Sequence, residues 1–349
     1  MRAAVLKARG RFEIARAYPD PRLSSTDLKL RVLYSGICGS DLHEFVAGPL
    51  MAPMPAVLGH EFCAEVVDYG PQTQKHLKPG TRVCAMPVLI RSTGVEAVGY
   101  SNENPGGYGE LMRLTEFLLL EVPNGLSTER AALTEPMAVG YHAVQKARLG
   151  KDDAPLVIGC GPVGLAVIAA LKLIGASPIV AADFSSRRRE LARQMGADFV
   201  VDPREKSPYD SWKELAAYTD PATAPKLPPW LPGPALRPAV IFECVGVPGV
   251  IEAVMAAAPS NGRIIVVGVC MERDQIEPLT GISKELNIQF VLGYSPDEFA
   301  ATLRHLAEGR VNGDPLITGK VGVDGVAKAF EDLASPETHA KILVEPWHS

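Results

Sequence analysis

Apolar and polar residues change their rhythm once along the chain, at about residue 127. Upstream, short runs such as "LKLRVLYSG", "AEVVDYG" and "TRVCAMPVL" are split by turns rich in Gly and Pro, the pattern of β-strands. Downstream, compact apolar runs alternate with helix-like stretches: "APLVIG", "PVGLAVIAALKLIGA", "SPIVAAD", "SRRRELARQMGA", "DFVVDP", then "AVIFECVG" and "GRIIVVGV". Alternation of this kind predicts parallel strands with helices on both faces of the sheet. The expected fold class is therefore α/β: a β-rich domain over residues 1–126 and a doubly wound parallel-sheet domain over 127–294.

Between Pro203 and Pro238 the pattern stalls in "SPYDSWKELAAYTDPATAPKLPPWLPGPALRP". A helix followed by a long Pro-rich loop is expected, and such loops lie on the surface. A contact or lid built on Trp230 is the alternative.

"VIGCGPVG" sets Gly159, Gly161 and Gly164 in G-x-G-x-x-G spacing between an apolar strand and a helix. The first glycine permits the tight turn, the second lets backbone approach a pyrophosphate, and the third lets helix and strand pack closely. Pro162 and Val163 then open the helix whose N-terminus meets the phosphate charge. Asp183 closes the next strand, where a carboxylate accepts hydrogen bonds from the adenosine ribose and repels a 2′-phosphate, so NAD is expected over NADP. Arg187, Arg188 and Arg189 follow; an exposed helix face is their plain reading, and Arg188 is carried as a cofactor-side candidate.

Composition narrows the partners. The chain has 349 residues, 47% of them hydrophobic and 21% charged, with a formal charge of -5 and a pI near 5.9. Nothing in that balance suggests a field that gathers nucleic acid or anionic membrane. The apolar stretch from residue 156 to 182 carries early glycines and a proline that suit a strand-to-helix turn better than a membrane helix. The six cysteines are scattered without a C-x-x-C, and "MRAAVLKARGRFEIA" lacks the apolar core of a signal peptide, so a reducing cytoplasm is expected.

"GICGSDLHEF" raises a different possibility, because Cys38 stands beside Ser40, Asp41 and His43 with no second cysteine close by. "LGHEF" adds His60 and Glu61, and "LTEPMAVGYHAV" adds Glu135 and His142. Thiolate, imidazole and carboxylate are donors that zinc takes in catalytic sites, with one position left for water or substrate. Singly, each has a plainer reading: a buried thiol, a core histidine, an exposed glutamate. His142 reads as a buried helical histidine, and the other five cysteines as small buried side chains.

Together, "GICGSDLH", "LGHE", "KPGTRV", "GCGPVG" and "GRIIVVG" resemble the zinc-containing medium-chain alcohol dehydrogenases, nearly from end to end. "EPMAVGYHA" resembles the polyol, butanediol and threonine dehydrogenase branch. The resemblance implies a GroES-like catalytic domain completed by residues 295–349, and a Rossmann cofactor domain. It implies one catalytic zinc held by Cys38 and His60, with Glu61 as third ligand and Glu135 binding directly or through water. Residues 85–110 lack the cysteines of that family's structural zinc lobe, so no second zinc is expected. Residues 60 and 61 would face opposite sides of a regular strand, so both reach one ion only where the backbone is irregular.

The same resemblance implies that Asp41 orients a ligand histidine, and that Ser40 passes the substrate proton through a cofactor ribose hydroxyl to His43. Zinc would lower the pKa of a bound secondary alcohol, diol or polyol, and the alkoxide would release hydride to the nicotinamide in a cleft between the domains. Val245 and Gly268, ending later strands, are expected near that ring. Met51 and Met54 suggest an apolar pocket wall, with plain packing as the alternative. A homodimer or homotetramer joined through edge strands is implied. The rival readings are a zinc-free NADPH-dependent quinone or alkene reductase and a non-catalytic dinucleotide-binding protein.

Overall fold

A computed structural model describes residues 1–220, 222–226 and 234–348. The chain divides into two units, Met1–Pro136 with Ser295–Ser349, and Met137–Tyr294. Trp230, the lid candidate, lies outside the described residues.

In the first unit the central sheet runs in the order Ile317–Gly322, Lys341–Glu345, Asp27–Gly36, Glu61–Tyr69, Arg82–Cys84 and Leu120–Glu121, and Leu111–Thr115 also pairs with Asp27–Gly36. Lys341–Glu345, from the end of the chain, pairs antiparallel with the end of Asp27–Gly36, Leu343 opposite Gly36. That pairing brings the C-terminal strand against the residues that lead into Cys38. "TRVCAMPVL" forms two strands, Arg82–Cys84 and Val88–Arg91, and not one. Pro87 lies between them, and proline cannot donate to a strand ladder.

One core of this unit packs Leu28, Leu30, Val32, Phe62, Ala64, Val66 and Met112 together. The other gathers Val57, Leu58, Tyr108, Phe330 and Ile342, with Phe12 and Phe45 against Phe330. Aromatic contacts of this kind add about 0.5–1.5 kcal/mol each beyond the area buried.

The second unit is a six-stranded parallel sheet in the order Phe199–Val201, Val180–Ala182, Ala154–Ile158, Ala239–Glu243, Arg263–Val266 and Asn287–Phe290. The earliest strand of this unit, Ala154–Ile158, therefore lies inside the sheet, and the direction of winding reverses between it and Ala239–Glu243, the point where such folds bind ligands. The inner strands are almost wholly apolar because helices such as Pro162–Leu173 and Pro208–Ala216 cover them. Trp212 anchors the latter helix: it is buried, and its indole Nε1 donates to the Ala154 carbonyl at 2.9 Å. No helix among the described residues is long and apolar enough to cross a membrane.

Candidate active site

Cys38 is the N-cap of the helix Gly39–Ala47. Asp41, in that helix's first turn, is fully buried and accepts a hydrogen bond from the Cys38 backbone N–H at 3.0 Å, a local bond that fixes the entry to the helix. Its carboxylate also accepts from Tyr108 Oη at 2.6 Å and lies 3.5 Å from His60 Nδ1. Burial alone would raise the Asp41 pKa, but His60, Tyr108 and the Cys38 N–H overcome it and hold it below the ordinary value.

His60 precedes the strand Glu61–Tyr69 and follows Gly59, whose φ of +101° breaks the extended backbone. That irregularity lets His60 and Glu61 reach the same side: Cys38, His60 and Glu61 each offer a donor atom, all within 4.8 Å of one another. Burial would lower the His60 pKa, but the Asp41 carboxylate and the Cys38 sulfur push it well up. His60 Nδ1 has no well-aligned hydrogen-bond partner, Asp41 standing slightly too far for one. A half-buried thiol with a buried imidazole and carboxylate, their donor atoms close together and a second carboxylate behind the imidazole, fit zinc in donor type and support.

Glu61 has a further partner. Lys341 Nζ donates to both of its carboxylate oxygens at 2.6 Å and to the Ile37 carbonyl at 3.1 Å. Gly36 makes the room: a Cβ there would stand 2.0 Å from Glu61 Oε2. Burial would lower the Lys341 pKa, but the Glu61 carboxylate and the Cys38 sulfur more than offset this and raise it.

Ser40 Oγ lies 2.7 Å from Tyr100 Oη, and Tyr100 reaches Asp41 Oδ1 at 3.4 Å. The Tyr100 ring is tilted against His60, centroids 5.2 Å apart. Burial, the Asp41 carboxylate and the Cys38 sulfur push the Tyr100 pKa far up, so its phenol keeps its proton. His43 sits one turn after Ser40 on the same helix face and is half-buried. Glu135 stands in the first turn of the helix Thr134–Ala147; it is buried, and its charge helps raise the pKa of both Tyr100 and Lys341. Met51 is exposed and Met54 packs against the unit's core. His142 is half-buried rather than buried, and so is Cys270.

In the second unit, Gly159 adopts φ +90°, and a Cβ there would meet the Val245 side chain at 2.7 Å. A Cβ on Gly164 would stand 1.9 Å from the Gly159 carbonyl, so only glycine allows helix and turn to pack this closely. Gly161 caps the helix begun by Pro162 and Val163, and its open side faces the Arg188 guanidinium, 3.9 Å from where a Cβ would be. Asp183 accepts from the Cys160 N–H at 2.8 Å and from the Ser185 N–H at 2.8 Å, which holds its carboxylate at the turn. Arg189 is instead engaged by Asp202 at 2.9 Å. Val245 and Gly268 follow neighbouring strands, and a Cβ on Gly268 would meet the Gly246 backbone N at 2.4 Å.

Three side chains of the first site were not anticipated from the sequence. Tyr100 and Tyr108 come from the segment noted only for its missing cysteines, and Lys341 from the C-terminal strand. Lys341 carried the one usable signal: a lone lysine opening the apolar run "KILV" marks a charge inside a buried strand.

Comparison with known proteins agrees with this architecture. Residues 24–124 match the alcohol dehydrogenase GroES-like domain, and residues 162–308 match the zinc-binding dehydrogenase domain. The chain is 32% identical over 347 residues to a (R,R)-butanediol dehydrogenase of Bacillus subtilis, covering 94% of each chain. It is 30% identical over 328 residues to the sorbitol dehydrogenase of Ovis aries, covering 90% of this chain and 88% of that one. The crystal structure of 2R,3R-butanediol dehydrogenase from Bacillus subtilis superimposes with a TM-score of 0.84 over 99% of both chains, at 30% identity.

Proposed function

Because the chain belongs to the family of zinc-binding alcohol dehydrogenases with a GroES-like domain, we propose that it transfers hydride between a secondary alcohol, diol or polyol and NAD at one catalytic zinc. The observation that carries this reading is the close grouping of half-buried Cys38 with buried His60 and Glu61, Ser40 standing two residues after Cys38. The rival zinc-free reductase and the non-catalytic binding protein have no use for that grouping.

Cys38, His60 and Glu61 would hold the metal, with Glu135 as a further donor, directly or through water. Zinc, when bound, supplies a Lewis acid that eases deprotonation of a substrate hydroxyl. The Asp41 carboxylate, 3.5 Å behind His60 Nδ1, would hold the imidazole's orientation by charge and leave its other ring nitrogen for the metal. Ser40 would take the substrate hydroxyl proton as it gives up its own, and His43, one turn on along the same helix face, would be the residue that carries a proton away.

Gly159, Gly161 and Gly164 would bind the pyrophosphate with Pro162 and Val163 at the helix N-terminus, and Arg188 beside it. Asp183 would take the adenosine ribose, which favours NAD over NADP. Val245 and Gly268 would border the nicotinamide. Butanediol and sorbitol, named in the relatives, share a diol or polyol character that is carried over here as the substrate class. The lack of cysteines in residues 85–110 supports a single zinc. All six cysteines are free, in keeping with a reducing cytoplasm.

Assembly into a homodimer or homotetramer is part of the reading. The edge strand Asn287–Phe290 ends in exposed apolar residues, Phe290 at 66% and Leu292 just beyond it at 90%. An exposed apolar sheet edge invites pairing with a second copy. The direct experiment measures NADH formation with a panel of alcohols, diols and polyols, together with zinc content.

A further inference from the structure

Tyr100 touches three members of the first site, yet the proton path above does not use it. Its hydroxyl is 2.7 Å from Ser40 Oγ and 3.4 Å from Asp41 Oδ1, and its ring lies against His60. The position is built and not incidental. Asp41 is itself locked by the Tyr108 hydroxyl and the Cys38 N–H, so the acceptor behind Tyr100 cannot drift.

A hydroxyl has one hydrogen to give and two lone pairs to receive with. Asp41, an ionised carboxylate, can only accept. When Ser40 donates to Tyr100, Tyr100 can donate onward to Asp41, and both bonds are made. When Ser40 turns its hydrogen toward another acceptor, Tyr100 can swing its own hydrogen to Ser40 Oγ, and the 2.7 Å contact survives with donor and acceptor exchanged.

We propose that Tyr100 is a positioning residue for Ser40, a reversible hydrogen-bond partner that keeps the Ser40 oxygen aimed while one proton arrives on it and another leaves. The inference rests on the Ser40 proton path proposed above. No net proton reaches Asp41: Ser40 gains the substrate hydroxyl proton as it gives up its own, and Tyr100 ends the cycle as it began. Without the phenol, Ser40 is free to rotate among its rotamers and must be re-aimed in each turnover.

The test is a double-mutant cycle with Tyr100→Phe and Ser40→Ala in the zinc-loaded enzyme, following kcat, KM for alcohol and for NAD, and the solvent deuterium isotope effect. Tyr100→Phe keeps the ring against His60 and removes one hydroxyl. We expect kcat to fall about tenfold, the scale of one lost oriented hydrogen bond, with KM for NAD unchanged and a larger solvent isotope effect. On the Ser40→Ala background the same change should cost nothing further. Zinc content and melting temperature are measured on each variant, so a loss caused by a damaged metal site is recognised and counts against the inference. Tyr100→Phe with kcat within about twofold of wild type, while Ser40→Ala is impaired, overturns the role of Tyr100 alone. Equal losses from Tyr100→Phe with and without Ser40 also overturn it. Unchanged turnover in Ser40→Ala overturns the proton path and this inference together.

Discussion

Lys341 Nζ lies 2.6 Å from both carboxylate oxygens of Glu61, and each side chain is 1% exposed. A buried pair of this kind is costly to break because the surviving charge has nowhere to go. Glu61 also stands in the donor grouping with Cys38 and His60. Its carboxylate is therefore placed to answer to a lysine on one side and a metal ion on the other.

Lys341→Met should leave Glu61 without its cation and destabilise the metal-free protein by about 3–5 kcal/mol. Zinc would restore part of that loss by taking the freed carboxylate. Calorimetry of both proteins with and without zinc checks this: the melting-temperature gain on adding zinc should be larger in the variant. An equal gain in both would show that Lys341 and the metal do not share Glu61.

Asp27 is fully buried and accepts two hydrogen bonds from the Arg91 guanidinium, at 2.7 and 2.9 Å. Burial alone would raise its pKa; Arg91 and Ser24 outweigh it and leave the value lowered. A carboxylate lowered on folding stabilises the protein above its unfolded pKa, and that contribution is lost as pH falls through the folded value. Asp27→Asn should cost about 1–3 kcal/mol at neutral pH. Denaturant unfolding of both proteins from about pH 7 to about pH 3 should show this deficit shrinking in acid. A deficit independent of pH would assign the loss to packing.

Asp183→Ala removes the carboxylate held at the dinucleotide turn by the Cys160 and Ser185 N–H groups. kcat/KM with NAD should drop about ten- to hundredfold, the worth of charge-assisted hydrogen bonds. Turnover with NADP should fall less or rise. Steady-state kinetics with both cofactors decides the matter, and a wild type that already prefers NADP would refute it.

Leu292→Asp places a charge at the exposed apolar end of the sheet edge. Sedimentation at micromolar concentrations should find an oligomer for the wild type and a shift toward monomer for the variant. Two monomers, or two unchanged oligomers, would remove this edge from the assembly.

Much of this was legible in the sequence, and the limits have physical causes. The change from strand alternation to strand-and-helix alternation announced the parallel sheet, because buried strands are apolar throughout. The glycine turn was readable because its three positions, its strand and Asp183 are local. Cys38, Asp41, His60 and Glu61 were readable through family resemblance, and the structure brings these four together. Lys341 pairs with Glu61 from 280 residues away, and Tyr100 meets Ser40 from 60 residues away. No periodicity connects such positions. Tyr100 also sits among Gly, Ser and Asn, where a loop aromatic gives no sign of which way it will turn.

The zinc dependence of alcohol oxidation is the decisive measurement. The purified protein is assayed for metal per chain and for NADH formation with 2,3-butanediol, sorbitol and simple secondary alcohols, before and after chelation and after zinc is returned. One zinc per chain, NADH formation with at least one diol or polyol, loss of that activity on chelation, and recovery with zinc are expected. A protein that binds no zinc and forms no NADH from any of these alcohols would contradict that expectation.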